Sequence, residues 1–160
     1  MRRAALAAVW FLLVVSAGAA PVRADSTAVC TATWVVAISP GVTDKPGRFT
    51  ITSNGQGGIL VCSGQVAGTT VTGPGTIGEL GTAEGTCTTG TGESDYSFAL
   101  PTSAGPLTVN VRARFVYGPG GGVRLGDQIP GPFEFIATEG DCLTSPVTEV
   151  RVINQVLFRA

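Results

Sequence analysis

Two pairs of acidic residues are the part of this sequence best suited to catalytic or metal-binding chemistry. In each pair, one residue separates the two acids. Glu93 is followed by Asp95, and Glu139 by Asp141. On a β-strand this spacing places both carboxyl groups on one face, and glycosidases use two carboxyl groups roughly 5 to 9.5 Å apart. Clustered carboxylates also suit Ca²⁺. The simplest interpretation is that these acids are solvated or accept hydrogen bonds from backbone amides in turns.

The sequence lacks the residues that nucleophilic catalysis and dinucleotide binding usually require. The chain has no histidine, the base that serine and cysteine nucleophiles usually need. Its single lysine, Lys45, lies in a turn-like stretch. Residues Gly73 to Gly78 match G-x-G-x-x-G in letters, but Pro74 interrupts the run and no helical pattern follows, so it predicts a turn and not a dinucleotide site. We expect no enzymatic activity, no cofactor and no bound metal.

Arginines on one predicted strand could hold an anion. Arg112 and Arg114 lie two residues apart, on the same face. The simpler interpretation is cross-strand pairing with an acid such as Glu134 or Glu149.

Binding is expected instead at loops, which carry most recognition residues in sandwich folds. The candidates are the Gly-rich loop 118–122 and the segment 139–141. These segments, with the tyrosine that precedes the first, supply Tyr117, Gly120, Glu139 and Asp141 as possible binding residues. Trp34 alternates with apolar residues and is expected in the core, whereas Tyr117 ends a strand beside a loop and is the better candidate for a surface aromatic.

The cysteines predict two disulfides, because an even number in an exported chain is normally oxidised. Three pairings of Cys30, Cys62, Cys87 and Cys142 are possible. We expect Cys62–Cys87 and Cys30–Cys142, for which chain entropy gives roughly 3.5 and 4.8 kcal/mol. The wide spacing and the lack of histidine argue against zinc.

Residues 1–24 have the pattern of a signal peptide. Arg2 and Arg3 precede an apolar run from Ala4 to Val15, and small residues precede a cleavage point after Ala24. The run is shorter than the ~20 residues of a membrane span. We therefore expect one secreted domain, residues 25–160, with no membrane span after cleavage.

Charge excludes one class of partner. Three of the ten basic residues lie in residues 1–24, so seven face eleven acidic residues in the remainder, a net charge of −4. This balance lacks the cationic stripe that a phosphate backbone requires, and we expect no nucleic-acid binding.

Apolar residues recur with a period of two and not 3.6, which predicts strands. The clearest pattern runs from Leu107 to Tyr117, and residues 54–58 (NGQGG) resemble a hairpin loop. The sequence thus predicts an all-β fold of about nine or ten short antiparallel strands, a β-sandwich or a partly closed barrel, braced by disulfides.

Several short runs share their spacing with known proteins: residues 38–41 (ISPG), 62–64 (CSG), 73–78 (GPGTIG), 100–102 (LPT), 140–142 (GDC) and 146–148 (PVT). In these the chain resembles a group of small exported proteins of high-GC Gram-positive bacteria. The resemblance covers most of residues 25–160 and implies fold and export; it implies no activity.

The sequence therefore predicts a non-catalytic secreted β-sandwich protein. It would bind an unknown extracellular ligand or protein, or associate with the cell surface. Two alternatives remain open. One is a carbohydrate-active enzyme that uses a carboxylate pair, and the other is a small secreted protease inhibitor that presents a rigid loop at residues 88–95.

Overall fold

A computed structural model of the chain describes residues 27–53, 57–126 and 128–159, so the predicted signal peptide lies outside the described residues. The described residues form ten strands and no helix, which confirms the all-β prediction. The strands are β1 (Thr27–Val42), β2 (Gly47–Ser53), β3 (Gly58–Val66), β4 (Thr69–Thr70), β5 (Gly75–Thr86), β6 (Thr89–Thr102), β7 (Gly105–Gly118), β8 (Gly121–Leu125), β9 (Gly131–Glu139) and β10 (Val147–Arg159).

The strand pairings form one antiparallel sheet that closes into a ring. From β5 to β10 each strand pairs with the next along the chain, and β10 pairs back onto β1. The gap between β1 and β5 is filled by β2 and β3, each of which pairs with both of those strands. Of the two architectures that the sequence allowed, the pairings are therefore those of a single closed sheet and not of two stacked sheets.

The strands on either side of residues 54–58 do not form the predicted hairpin, of which residues 54–56 lie outside the described part of the chain. Both β2 and β3 run antiparallel to β1, with Ile38 opposite Ile51 and Ala32 opposite Leu60. The two strands therefore run in the same direction, end to end, and do not pair with each other. Gly58 begins β3 close to Trp34, where an added Cβ would collide with the Trp34 side chain.

Alternation determines which side chains fill the ring. In β1 the residues Ala28, Cys30 and Ala32 are buried, while Val29 and Thr31 between them are exposed. One half of the ring is packed solid with apolar side chains that are at most 5% exposed, including an edge-to-face pair of Phe98 and Phe158 with centroids 5.0 Å apart. The other members of this packed half are Leu60, Ile77, Leu100 and Val156.

Two strands place charge on the inward face. In β8 the guanidinium of Arg124 is buried, and its apolar neighbours Val123 and Leu125 are exposed. In β5 the side chain of Glu79 is buried and that of Leu80 is exposed. At these positions both strands reverse the usual rule that apolar residues face the core.

All four cysteines form disulfides, as predicted, but the predicted pairing is wrong. The bonds join Cys30 to Cys62 and Cys87 to Cys142. The first pair is set by strand register, because the two residues lie directly opposite each other in β1 and β3. The second ties the β5–β6 turn to the segment between β9 and β10. Loop-closure entropy depends only on loop length and cannot detect such register, so it could not have identified this pairing.

Candidate ligand-binding cavity

A cavity of about 310 Å³ fills the half of the ring beyond the packed core. Its volume is in the range of small-molecule sites. Its walls are largely apolar, with Trp34 and Tyr96 at its inner end and Tyr117 near its outer end. The other apolar lining residues come from around the ring: Val36, Ile38, Val42, Phe49, Ile51, Phe115, Phe133, Phe135, Ala137, Val147, Val150 and Val152.

Four polar or aromatic side chains form the inner end of this cavity, and we call Trp34, Glu79, Tyr96 and Arg124 the floor cluster. Three of them follow the packed core directly along their strands. Trp34 comes two residues after Ala32, Glu79 two after Ile77, and Tyr96 two before Phe98, so each is the next inward-facing side chain. The floor cluster therefore separates the packed half of the ring from the cavity.

The carboxylate of Glu79 is held by an indole. The Nε1 atom of Trp34 donates a hydrogen bond of 2.7 Å to Oε2 of Glu79, and both residues are buried. A hydrogen bond to a charged acceptor is stronger than a neutral one. This bond offsets part of the cost of burying a carboxylate.

The guanidinium of Arg124 lies among aromatic rings. Its Cζ atom is 5.0 Å from the ring centroid of Tyr96, 5.1 Å from that of Phe133 and 5.5 Å from that of Trp34. Each distance is within the range of a cation–π contact. Its Nε also donates a hydrogen bond of 3.1 Å to the hydroxyl of Tyr96.

One nitrogen of the Arg124 guanidinium lacks a hydrogen-bond partner. Its Nη1 has no acceptor among the described residues, and the residue is only 3% exposed, so solvent does not supply one. None of the ion pairs in the described part of the chain includes Arg124. A buried donor without an acceptor costs about 1–3 kcal/mol, so this atom is the clearest polar feature that a bound molecule could satisfy.

The phenol of Tyr96 stays protonated in this setting. Burial raises its pKa well above the ordinary value, and the negative charge of Glu79 raises it further. A neutral hydroxyl can accept from Arg124 Nε without adding a charge to the floor cluster. Burial also raises the pKa of Tyr117, the tyrosine nearer the cavity mouth.

The outer end of the cavity is formed by turns. Tyr117, Gly120 and Asp141 line it, together with the Cys87–Cys142 disulfide. Three of the four predicted binding residues therefore border one space. Tyr117 is half-buried and not a free surface aromatic: its hydroxyl donates to the carbonyl of Thr86 at 2.9 Å.

The side chain of Asp141 shapes the segment that carries Cys142. Its Oδ1 accepts from the backbone amides of Leu143, Thr144 and Ser145 at 2.9, 2.7 and 3.2 Å. Hydrogen bonds from the backbone and the side-chain hydroxyl of Thr144 are the main reason that the pKa of Asp141 falls to about 2. This acid matches the turn-capping interpretation.

The remaining predicted acids lie elsewhere. Glu139, the fourth predicted binding residue, is exposed and accepts from the Thr148 hydroxyl at 3.1 Å. Glu93 and Asp95 lie on the outer face of β6 and contact one guanidinium, that of Arg112, at 3.4 and 2.8 Å. The hydrogen bond from Arg112 lowers the pKa of Asp95.

The acids predicted to pair with the two β7 arginines are also wrong. Arg112 and Arg114 pair across strands, but with Asp95 and Glu93 and not with Glu134 or Glu149. The reason is register, since β6 is the neighbour of β7 and sets these residues opposite one another.

Residues 88–95 are not the exposed loop that an inhibitor would present. From Thr89 onward they belong to β6, which pairs with β5 along this stretch and with β7 from Gly90 onward.

The described residues lack two further features, a metal-binding cluster and a membrane-spanning helix. They contain no group of three or more His, Cys, Asp or Glu side chains placed to hold a metal ion. They also contain no helix with the length and apolarity that crossing a bilayer requires.

Glu79 and Arg124 were missed by sequence reasoning. Each lies in a short apolar stretch with glycines nearby, where either face of the strand could turn inward. The available signal was register: Glu79 is in step with Ile77, and the two are separated by a single residue. No comparable signal existed for Arg124.

Comparison with known proteins adds no relative: no family model, no curated protein and no solved structure matches the chain. The resemblance to small exported proteins of high-GC Gram-positive bacteria stays a prediction.

Proposed function

We propose that this chain is an exported, non-catalytic protein that binds a small, mostly apolar molecule inside its ring. The cavity is the observation that carries the proposal. Protein interiors are normally packed as densely as organic crystals, with few voids larger than a water molecule. Here one half of the ring follows that rule, and the other half leaves about 310 Å³ lined mainly by aromatic and aliphatic side chains.

The disulfides support the part of the proposal that concerns location. Two bonds account for the four cysteines, and such bonds persist mainly in oxidising compartments. The predicted signal peptide points the same way. The bond between Cys87 and Cys142 also lies at the cavity mouth, where it would hold the opening in shape.

No specific contact favours either alternative function, a carbohydrate-active enzyme or a protease inhibitor. A glycosidase would need two carboxyl groups facing one cleft, whereas Glu93 and Asp95 face outward and are bound to Arg112. Glu79 and Asp141 both line the cavity, but they lie at its inner and outer ends, and the Asp141 carboxylate already accepts hydrogen bonds from its own segment. An inhibitor would need an exposed loop where the chain forms β6.

Fluorescence can test the proposal because of where the tryptophans lie. The chain has two, Trp10 in the predicted signal peptide and Trp34 in the floor cluster. Protein purified after export would report through Trp34 alone. We expect N-phenyl-1-naphthylamine, a neutral apolar probe, to bind with saturation and to receive excitation energy from Trp34.

Matched variants locate the site. Val152→Phe fills the cavity from β10, and Val61→Phe adds the same bulk to the outer face of β3, where the side chain is 59% exposed. We expect Val152→Phe to abolish probe binding and Val61→Phe to leave it unchanged. Equal binding to both variants, or no saturable binding to the unmodified protein, would show that the proposal is wrong.

A further inference from the structure

We infer that the cavity selects a neutral ligand whose polar end both accepts and donates a hydrogen bond, as a primary amide does. The inference rests on the proposed function and adds the chemical class of the ligand. It comes from the floor cluster, which offers a donor on Arg124 and an acceptor on Glu79 at the inner end of an apolar space.

The acceptor end of the ligand is specified by Arg124. Its Nη1 is buried and has no partner among the described residues, while its Nε is already bonded to Tyr96. A carbonyl oxygen that enters the inner end of the cavity would give this nitrogen an acceptor. Because the side chain is 97% buried and stacked against aromatic rings, it cannot turn to solvent for a partner without losing those contacts.

The donor end is specified by Glu79. A carboxylate has about four acceptor positions on its two oxygens. In the described part of the chain its side chain accepts one hydrogen bond, from Trp34 Nε1. An N–H or O–H group on the ligand would use the remaining capacity of this buried acceptor.

An anionic head group fits the charges poorly. The charged residues that line the cavity are Arg124, Glu79 and Asp141, one guanidinium and two carboxylates. An anion drawn to Arg124 would neutralise the only cation of this lining and leave Glu79 buried without a compensating charge. An uncompensated buried charge is strongly unfavourable.

A cationic head group is disfavoured for a different reason. The faces of Trp34 and Tyr96 are the natural place for an organic cation in such a cavity. They are already occupied by Arg124, whose Cζ lies 5.5 and 5.0 Å from their ring centroids. A second positive charge there would be repelled by the first.

Competition against N-phenyl-1-naphthylamine tests the inference on exported protein with both disulfides intact. The competitors share one alkyl chain and differ in the head group: octanamide, octanoate, octylammonium and N,N-dimethyloctanamide. We expect octanamide to bind at least about tenfold more tightly than octanoate or octylammonium, the ratio that one hydrogen bond to a charged group provides. The dimethyl compound keeps the carbonyl but has no N–H, so we expect intermediate affinity.

A charge-removing variant tests the role assigned to the floor carboxylate. Glu79→Gln keeps an oxygen that can accept from Trp34 Nε1, and Glu93→Gln on the outer face is its control. We expect Glu79→Gln to raise the affinity for octanoate relative to octanamide, and Glu93→Gln to leave the ratio unchanged. If Glu79→Gln does not fold, the head-group comparison on the unmodified protein decides alone.

The outcomes separate this inference from the function on which it rests. If the probe binds in the cavity and octanoate or octylammonium competes as well as octanamide, the head-group inference is overturned and the binding function stands. If neither the probe nor any of the four compounds binds, both are overturned.

Discussion

The indole Nε1 of Trp34 and the carboxylate of Glu79, 45 residues apart in the chain, are joined by a 2.7 Å hydrogen bond inside the ring. The bond fixes a buried negative charge where the packed core ends. Arg124 lies over the ring of the same indole, with its Cζ 5.5 Å from the ring centroid. The floor of the cavity is therefore an ordered layer of polar and aromatic side chains held by specific contacts.

Charge balance within this layer gives the first prediction. Removing one of two compensating buried charges typically costs about 3 kcal/mol or more. Arg124 and Glu79 share the floor cluster without forming an ion pair. We therefore expect Arg124→Met to lower the free energy of unfolding by up to about this amount, because Glu79 then keeps a buried charge without its counterpart. The double variant Arg124→Met/Glu79→Gln should recover much of the loss. Denaturant unfolding of the single and double variants measures the coupling.

The same experiment can contradict the interpretation. If the effects of the two substitutions add to within about 0.5 kcal/mol, the two side chains are energetically independent. Glu84→Gln is the matched control, because the Glu84 side chain is exposed and pairs only with Arg48 on the outer surface.

Tyrosine ionisation gives the second prediction. The chain has two tyrosines, and burial raises the pKa of both. The folded state therefore holds its phenolic protons above pH 10, near the unfolded pKa. The associated stability is complete below about pH 10 and is lost as the pH rises through the raised values. In Tyr117→Phe, we expect tyrosinate absorbance from Tyr96 to appear only with unfolding; a reversible midpoint near pH 10 in the folded variant would contradict this.

The sequence patterns predict local strand structure but not the pairing between strands that are distant in the chain. The alternation of Val109, Val111 and Ala113 in β7 predicts a half-buried strand, and this local property is decided within the strand. The same information predicts the class of fold. It cannot predict that β2 and β3 lie end to end, because that depends on both of them pairing with β1 and β5.

The candidate site was predicted only at its outer end. Gly120 and Asp141 lie at turns and Tyr117 lies in β7 just before one, and turns are visible in the sequence as glycine and proline. The inner end depends on Val123 and Leu125 facing solvent so that Arg124 faces inward. Alternation is symmetric between the two faces of a strand, and only closure of the ring determines which face is inside.

Disulfide removal gives the third prediction. Non-reducing peptide maps should show the links Cys30–Cys62 and Cys87–Cys142. The loops span 32 and 55 residues, so chain entropy assigns about 4 kcal/mol to each bond. We expect the two double Cys→Ala variants to lose similar stability, whereas only Cys87→Ala/Cys142→Ala should weaken probe binding, since that bond lines the cavity. Equal loss of binding in both would contradict a local role for this bond.

Acid titration gives the fourth prediction. The pKa of Asp141 is lowered to about 2 by hydrogen bonds from its own segment. Its contribution to stability is thus present above the ordinary value near 4 and is lost as the pH falls toward 2. Asp141→Asn should melt at a lower temperature than the unmodified protein at pH 6, and the two curves should converge near pH 2. A difference that stays constant over this range would assign the effect to something other than the charge.

A glycine beside the cavity mouth gives the fifth prediction. Gly90 in β6 lies opposite Tyr117 in β7, and an added Cβ would collide with the Tyr117 ring. Gly90→Ala should therefore cost about 1–3 kcal/mol, as overpacking does, and should push Tyr117 away from its hydrogen bond to Thr86. Because Tyr117 lines the cavity, probe affinity should fall as well.

Gly47 provides the matched control for this substitution. It lies at the start of β2, and an added Cβ there would meet nothing within 4 Å. Gly47→Ala should leave stability unchanged or raise it by up to about 1 kcal/mol through the unfolded state. Chemical denaturation and probe titration of both variants decide the point. If Gly90→Ala behaves like Gly47→Ala in both measurements, the ring of Tyr117 does not pack over β6 as described and does not shape the mouth of the cavity.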